Sequence, residues 1–338
     1  MNPVANGMRT ALARVLRLRV WHAFIDSNIR FSVMAVACFG LVCASNYSTL
    51  QLLLLLVAVL LALMNGLLVN DYSDVNTDLL YGKVSAVANI SPRTVLAAIV
   101  LLFLLGLAIV GLGIGQISLV LVYLGWYFLG VEYSAPPLRL KGQTIHGIWS
   151  NVLVEKTIPA FFIAAFFGCF GFFAWVVLAC YSMVQIEIIF HHQIDDYEGD
   201  TIAGVNTLVT RLGRAKAMKI LNSYLRPLTA VSIAGLLLLF SVTIQYFWLA
   251  IPVCVVGYFI VAWLVSADRL IPENAQWPLY YNYLYFFLEG PAVVLIALLA
   301  TLKRPEYVVF LGLAMLSQYP KLRYYSRGVK AILRRDGR

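Results

Sequence analysis

Charge is scarce in this chain. Lysine, arginine, aspartate and glutamate together make up 12% of its 338 residues, and only four histidines join them. A soluble domain carries roughly a quarter of its residues as charges. That deficit, beside a hydrophobic fraction of 62%, excludes an ordinary soluble or disordered protein and leaves a polytopic membrane protein. Cysteine is sparse too. Cys38, Cys43, Cys169, Cys180 and Cys254 fall within or beside apolar runs, and none forms a Cys-x-x-Cys pair. They read as small buried residues rather than metal ligands. No cleavable signal peptide is expected, because the first apolar run comes late and leads into others. The net charge of +9 does not point to nucleic acid, since the basic residues lie in short segments between apolar runs.

What is abundant is length of apolar sequence. A spanning helix needs about 20 mostly apolar residues. Candidate spans fall near 29–46, 50–69, 94–113, 115–132, 153–171, 172–190, 228–244, 246–266 and 281–302. The expected fold is therefore an all-α transmembrane bundle of about nine spans. A further run near 306–319 makes a tenth possible. Residues 1–22 carry Arg9, Arg14, Arg17 and Arg19 among Leu12, Leu16, Leu18 and Trp21, and read either as a basic amphipathic helix on an anionic leaflet or as a disordered basic leader. Residues 23–304 form the membrane domain, and 305–338 hold the last apolar run and a basic tail.

The connectors set orientation. Those at Ser45–Thr49, Gly113–Gln116, Gly168–Gly171 and Ser241–Gln245 carry no lysine or arginine. Those at 70–93, 133–156, 191–227 and 267–280 hold Lys83, Arg139, Lys141, Lys156, Arg211, Arg214 and Arg226, among others. The asymmetry places the second set on the cytoplasmic side, with Lys303 and Arg304 as exceptions on the far side.

Both acidic clusters fall in that cytoplasmic set. In the first, Asp71, Asp74 and Asp78 sit at i, i+3 and i+7 and share a helical face. In the second, Asp196 and Asp200 are one turn apart. Two such faces brought together make an oxygen-rich negative mouth, which Mg²⁺ neutralises while completing its shell with substrate phosphates. Cations for a diphosphate follow close by. Tyr133-Ser134-Ala135-Pro136-Pro137-Leu138-Arg139-Leu140-Lys141 is an extended loop in which Arg139 and Lys141 point the same way, and Lys83 trails the first cluster. Arginine supplies bidentate phosphate contacts and lysine a point charge, although positive-inside placement alone also accounts for both.

The run Asn70-Asp71-x-x-Asp74-x-x-x-Asp78 resembles the first aspartate-rich signature of the UbiA superfamily of intramembrane prenyltransferases. Asp196-Tyr-Glu-Gly-Asp200, with Gly204, Thr207 and Leu212-Gly213 behind it, is similar to the second signature and its trailing segment. The Tyr133–Lys141 loop looks like that of the chlorophyll-synthase and archaeal lipid geranylgeranyltransferase branches. Together the motifs cover about residues 20–300 in the expected order. The resemblance implies a helical chamber open sideways to lipid, in which both aspartate motifs bind Mg²⁺ and the diphosphate of a polyprenyl donor. It carries Asn70, Asp71, Asp74 and Asp78 onto the first motif and Asp196 and Asp200 onto the second, with Tyr133 and Lys141 as catalytic partners. The chain departs from the pattern at His192-Gln193, where many members have Asn-Asp, and at Tyr81-Gly82-Lys83-Val84-Ser85, where many have an Asn-Arg-Pro-rich segment. Both departures fall where an acceptor would be read.

The chemistry agrees with the likeness. Breaking a prenyl C–O bond creates an allylic cation and a diphosphate, and positive groups stabilise the departing charge. His192 would orient an aspartate, touch phosphate or meet the acceptor. His191 lies one turn from both Glu187 and Asp195, which suggests it as partner to Glu187, itself either an acceptor-side base or a hydrogen-bonded structural residue. Glu289, ahead of Gly290-Pro291, marks a kinked, polar-lined approach to the ninth run, and Asn28 and Arg30 face the chamber or anchor at the interface. The expected function is transfer of a polyprenyl group to a membrane-associated acceptor. A terpene cyclase on the same fold and a cation-binding transporter are the alternatives; carboxylates at helix ends rather than at midplane argue against the transporter.

Overall fold

Runs of Leu, Val, Ala and Phe become helices because lipid offers no partner to backbone N–H and C=O groups, so each segment satisfies its own. The computed structural model describes residues 28–43, 46–80, 87–266 and 278–319. Its main helices are α1 (Arg30–Val42), α2 (Thr49–Leu80), α3 (Pro92–Ile114), α4 (Ile117–Ser134), α5 (Thr144–Phe166), α6 (Phe172–Asp195), α7 (Arg214–Thr243), α8 (Phe247–Ser266), α9 (Leu279–Lys303) and α10 (Pro305–Ser317). From α2 to α9, all eight are long and apolar enough to cross a membrane, while α1 and α10 are shorter apolar helices. The fold class is as expected, with different bounds. α5 begins nine residues before its expected start and α7 fourteen before, because the polar turns that precede them continue straight into apolar helix. Short helices Tyr197–Ile202 and Leu208–Leu212 link α6 to α7.

The short α1 lies at the centre. Every residue from Arg30 to Leu41 is buried, as a helix apolar on all sides must be. It packs on α9, α10 and α5. A Cβ on Gly40 would fall 1.7 Å from Tyr307 Oη, so the glycine leaves the space that the buried Tyr307 phenol of α10 occupies against α1. Among the described residues, π-helical turns lie within α3, α5, α7 and α9, at Ile109–Ile114, Leu153–Thr157, Leu221–Leu225 and Leu288–Ala292. Such turns recur at functional sites. The last holds Pro291, in keeping with the expected kink beside Glu289.

Antiparallel succession sends the α2–α3, α4–α5, α6–α7 and α8–α9 connections to one face and the rest to the other. On that other face Cys43 and Cys169 form a disulfide with a Cα–Cα distance of 5.9 Å, so these two are not the separate buried thiols expected of them. Their sequence separation of 126 residues hides the pairing from any local pattern. Tyr47 Oη donates to the Phe166 carbonyl at 2.6 Å nearby, and Lys303 Nζ donates to the Leu41 carbonyl at 3.2 Å, closing the C-terminal end of α1.

Three basic residues change character. Lys156 and Arg226, counted above among surface cations of the connectors, are 4% and 0% exposed inside α5 and α7. Lys156 Nζ lies over the Phe31 ring, 4.5 Å from its centroid. Arg226 Nε reaches Glu187 Oε1 at 3.3 Å, and Tyr281 Oη donates to Glu187 Oε2. Glu187 is thus held by Arg226 and Tyr281 rather than by His191, whose Nδ1 lies 3.5 Å from Asp195 Oδ2. Arg30, 3% exposed, pairs with Glu289 at 3.0 Å and faces the interior.

Candidate active site

The α2 helix runs unbroken through the first acidic cluster to Leu80, so Asn70 and Asp74 lie one turn apart on a single rigid element. The loop after α4 comes back onto that turn. Arg139 Nη2 donates to Asp74 Oδ1 at 3.2 Å, and Lys141 Nζ contacts Asp74 Oδ2 at 2.5 Å and Asn70 Oδ1 at 3.0 Å. Ser134 Oγ also donates to Asn70 Oδ1, at 3.1 Å. Arg139 itself sits at φ 41, a left-handed conformation that turns the loop toward α2. The first motif and its cations are therefore already one network.

The second motif arrives from α6. Asp196 ends that helix and Asp200 lies in the short helix after it. Both open onto a cavity of about 460 Å³ that Asn70, Asp74, Tyr133, Arg139, Lys141 and His192 also line. Two loops form its rim. Thr144 N–H donates to the Asn206 carbonyl at 2.9 Å, and Thr144 and Thr207 make an isolated bridge. Thr207 then caps the Leu208–Leu212 helix through its hydroxyl. Clusters more than a hundred residues apart thus meet at one mouth.

Three expected site residues stand differently. Asp71 is 5% exposed and is not among the residues lining the cavity, as a position one residue off the Asn70–Asp74 face would be. The Asp78 side chain and Lys83 lie outside the described residues, as do residues 1–22 and the basic tail. Two residues, Gln185 and Asn151, went unnoticed in the sequence. Gln185 Nε2 donates to Asn151 Oδ1 at 2.7 Å, and Asn151 Nδ2 to Tyr133 Oη at 3.1 Å. This relay from α6 through α5 to α4 fixes the Tyr133 phenol at the cavity wall. Gln193, singled out in the sequence as a departure beside His192, is 7% exposed and lines the cavity, and its Oε1 is buried without a partner. Single amides in apolar helices such as Asn151 and Gln185 carry no local signal, so only the fold reveals them.

Among the described residues no three His, Cys, Asp or Glu side chains gather closely enough to enclose a metal ion. The donor set nevertheless fits Mg²⁺. It consists of hard carboxylate and amide oxygens around an open mouth, and Mg²⁺ is usually bound by one or two carboxylates plus substrate phosphate and water.

Fold and site together define an integral membrane protein with an acidic, cation-flanked mouth at one face. The UbiA prenyltransferase family model matches residues 33–288, and the chain belongs to that family. Among solved structures it is similar to a UbiA homologue from Archaeoglobus fulgidus bound to GPP and Mg²⁺, at 17% identity over 89% of this chain and 99% of that one, with a TM-score of 0.58. A UbiA homologue from Aeropyrum pernix K1 without ligand matches at 14% identity over 80% and 98%, TM-score 0.54. A structure of digeranylgeranylglyceryl phosphate synthase matches at 15% identity over 90% and 99%, TM-score 0.52. At these identities the likeness is one of fold. No curated protein sequence matches the chain.

Proposed function

We propose that this chain is a Mg²⁺-dependent prenyltransferase that moves a polyprenyl group from its diphosphate to a membrane-associated acceptor. The reading is carried by one observation: Asp74 of the first motif and Asp196 and Asp200 of the second line the same cavity as Arg139 and Lys141. The GPP- and Mg²⁺-bound homologue of similar fold supports the choice of ligand. Asn70, Asp74, Asp196 and Asp200 would hold Mg²⁺, with Asp71 and Asp78 completing the motif from the same helix. When bound, Mg²⁺ supplies positive charge to the departing diphosphate. Lys141 and Arg139 do the same from the protein. In the free protein they rest on Asp74 and Asn70, which keeps them aimed at the mouth before substrate arrives. Lys83 follows the same motif and would add a further cation. Tyr133, held by Asn151, presents an aromatic face and a fixed hydroxyl where the allylic cation develops. His192 and Gln193 lie on the α6 side of the cavity, where an acceptor headgroup would meet the reacting carbon.

The basic connectors support a cytoplasmic location for this mouth, and the Cys43–Cys169 disulfide on the opposite face suits an oxidising compartment. The test is direct. Membranes containing the chain, given an isotope-labelled prenyl diphosphate, should yield a labelled lipid with Mg²⁺ and none after EDTA. Labelled cyclic hydrocarbon without acceptor would instead identify a cyclase, and no labelled product in either case would end the prenyl-transfer reading.

A further inference from the structure

The α6 side of the mouth differs from the α2 side in charge. Among the described residues, the lysine and arginine that line the cavity of about 460 Å³ are Lys141 and Arg139, and both already rest on Asp74 or Asn70 of α2. From α6 and the loop after it come His192, Gln193, Asp196, Asp200, Asn206 and Thr207 as polar lining, with no lysine or arginine. Arg211 donates through Nε to Asn206 Oδ1 at 2.9 Å but is not among the lining residues. The two motifs also match in register. Asn70-Asp71-x-x-Asp74-x-x-x-Asp78 and His192-Gln193-x-x-Asp196-x-x-x-Asp200 have the same spacing, so Gln193 stands where the first motif has an aspartate. One carboxylate is exchanged for an uncharged amide. Gln193 is 7% exposed, and its Oε1 is buried with no hydrogen-bond partner. A buried oxygen left unpaired destabilises the site, and a guest that donates a proton to it relieves that.

We infer that the acceptor enters the α6 side of the mouth with an uncharged headgroup bearing a hydroxyl or N–H, and that Gln193 is the residue that reads it. The inference rests on the prenyl-transfer reading and gives it an acceptor class. A carboxylate or phosphate would bring only lone pairs to an oxygen that needs a donor. It would also stand beside Asp196 and Asp200, with no lysine or arginine on that side to neutralise it. The charge of Lys141, Arg139 and Mg²⁺ is directed instead at the diphosphate of the prenyl donor. A hydroxyl both donates and accepts. That suits an amide whose oxygen and NH₂ exchange places by a half-turn about one bond. Rejection follows from the same atom, because a guest without the donor leaves Oε1 unpaired.

The experiment gives native membranes containing the wild type an isotope-labelled prenyl diphosphate and Mg²⁺. The labelled lipid, identified by mass as prenyl group plus acceptor, should pass an anion-exchange column at neutral pH. A labelled lipid retained there as an anion, or diphosphate release with no labelled adduct, overturns the acceptor class alone. No diphosphate release at all overturns the prenyl-transfer reading, and the acceptor class with it. Two variants test the residue. Gln193→Leu removes the amide at similar size, and the ratio of labelled lipid to released diphosphate should fall at least about tenfold, because the donor still ionises and water captures the cation. Gln193→Glu keeps an accepting oxygen and should retain more of that ratio than Gln193→Leu. Equal losses in the two variants, or no loss in either, refute the role of Gln193. The charge of the wild-type product decides the acceptor class whether or not the variants fold.

Discussion

Gly147 offers a way to disturb the site without touching it. It stands in the first turn of α5, under the loop that presents Lys141. A Cβ placed there would fall 2.8 Å from the Lys141 carbonyl oxygen and 3.1 Å from that of Leu140. Comfortable contacts between heavy atoms lie near 3.5 Å, so the loop must retreat by roughly 0.5–1 Å. The obstructing atoms are backbone, and no rotamer change relieves them. Lys141 Nζ would then leave its positions against Asp74 and Asn70. Misplacement of about 1 Å in a catalytic constellation costs on the order of 10²-fold, so Gly147→Ala should lower kcat/KM for the donor by about 10- to 100-fold. Overpacking itself costs about 1–3 kcal/mol, so thermal unfolding in detergent must be measured alongside. Gly142→Ala is the control. It sits in the same loop, yet its Cβ would meet nothing within 4 Å. Wild-type kinetics for Gly147→Ala, or equal losses in both variants, would refute the reasoning.

Lys141→Met removes a cation aimed at the leaving group and should cost about 10²- to 10³-fold in turnover while Arg139 keeps Asp74 paired; steady-state diphosphate release checks it. Arg226→Met leaves Glu187 buried without its guanidinium partner and should destabilise by about 3–5 kcal/mol, read as a lower unfolding temperature with Mg²⁺ present. Cys43→Ser opens a link spanning 126 residues and should destabilise by about 2–4 kcal/mol. Non-reducing peptide mass mapping should find the Cys43–Cys169 peptide pair only in the wild type.

Composition and run length made the helical membrane bundle legible, because lipid leaves so few ways to satisfy a backbone. The clusters at 70–78 and 195–200 were legible too, since carboxylates in so apolar a chain stand out, and their convergence followed from both closing helices on one face. The cations Arg139 and Lys141 were readable as a phosphate-facing pair, but not the shape of their loop: in place of the expected extended segment the chain turns tightly, Arg139 N–H donating to the Ala135 carbonyl at 3.0 Å and Leu140–Gly142 forming a 3₁₀ turn. Pairing across the bundle was not legible either. Glu187 looked toward His191 because the helix brings them together locally, but Arg226 and Tyr281 come from α7 and α9, and no spacing along α6 announces them. The same blindness made Lys156 and Arg226 look like surface cations. It also separated Cys43 from Cys169, and hid the Gln185–Asn151–Tyr133 relay. For Asp71 the spacing gives only a shared face: Asn70 and Asp74 line the cavity, and Asp71, about 100° around the helix from Asn70, is buried beside it.

A double-mutant cycle on the two acidic helix ends bears most directly on whether they grip a single diphosphate. Mg²⁺-dependent diphosphate release should fall in Asp74→Asn and in Asp196→Asn to nearly the level of the double variant, because groups acting as one unit are lost together. Losses that simply multiply, or either single variant retaining wild-type release, would mean that the two motifs work apart.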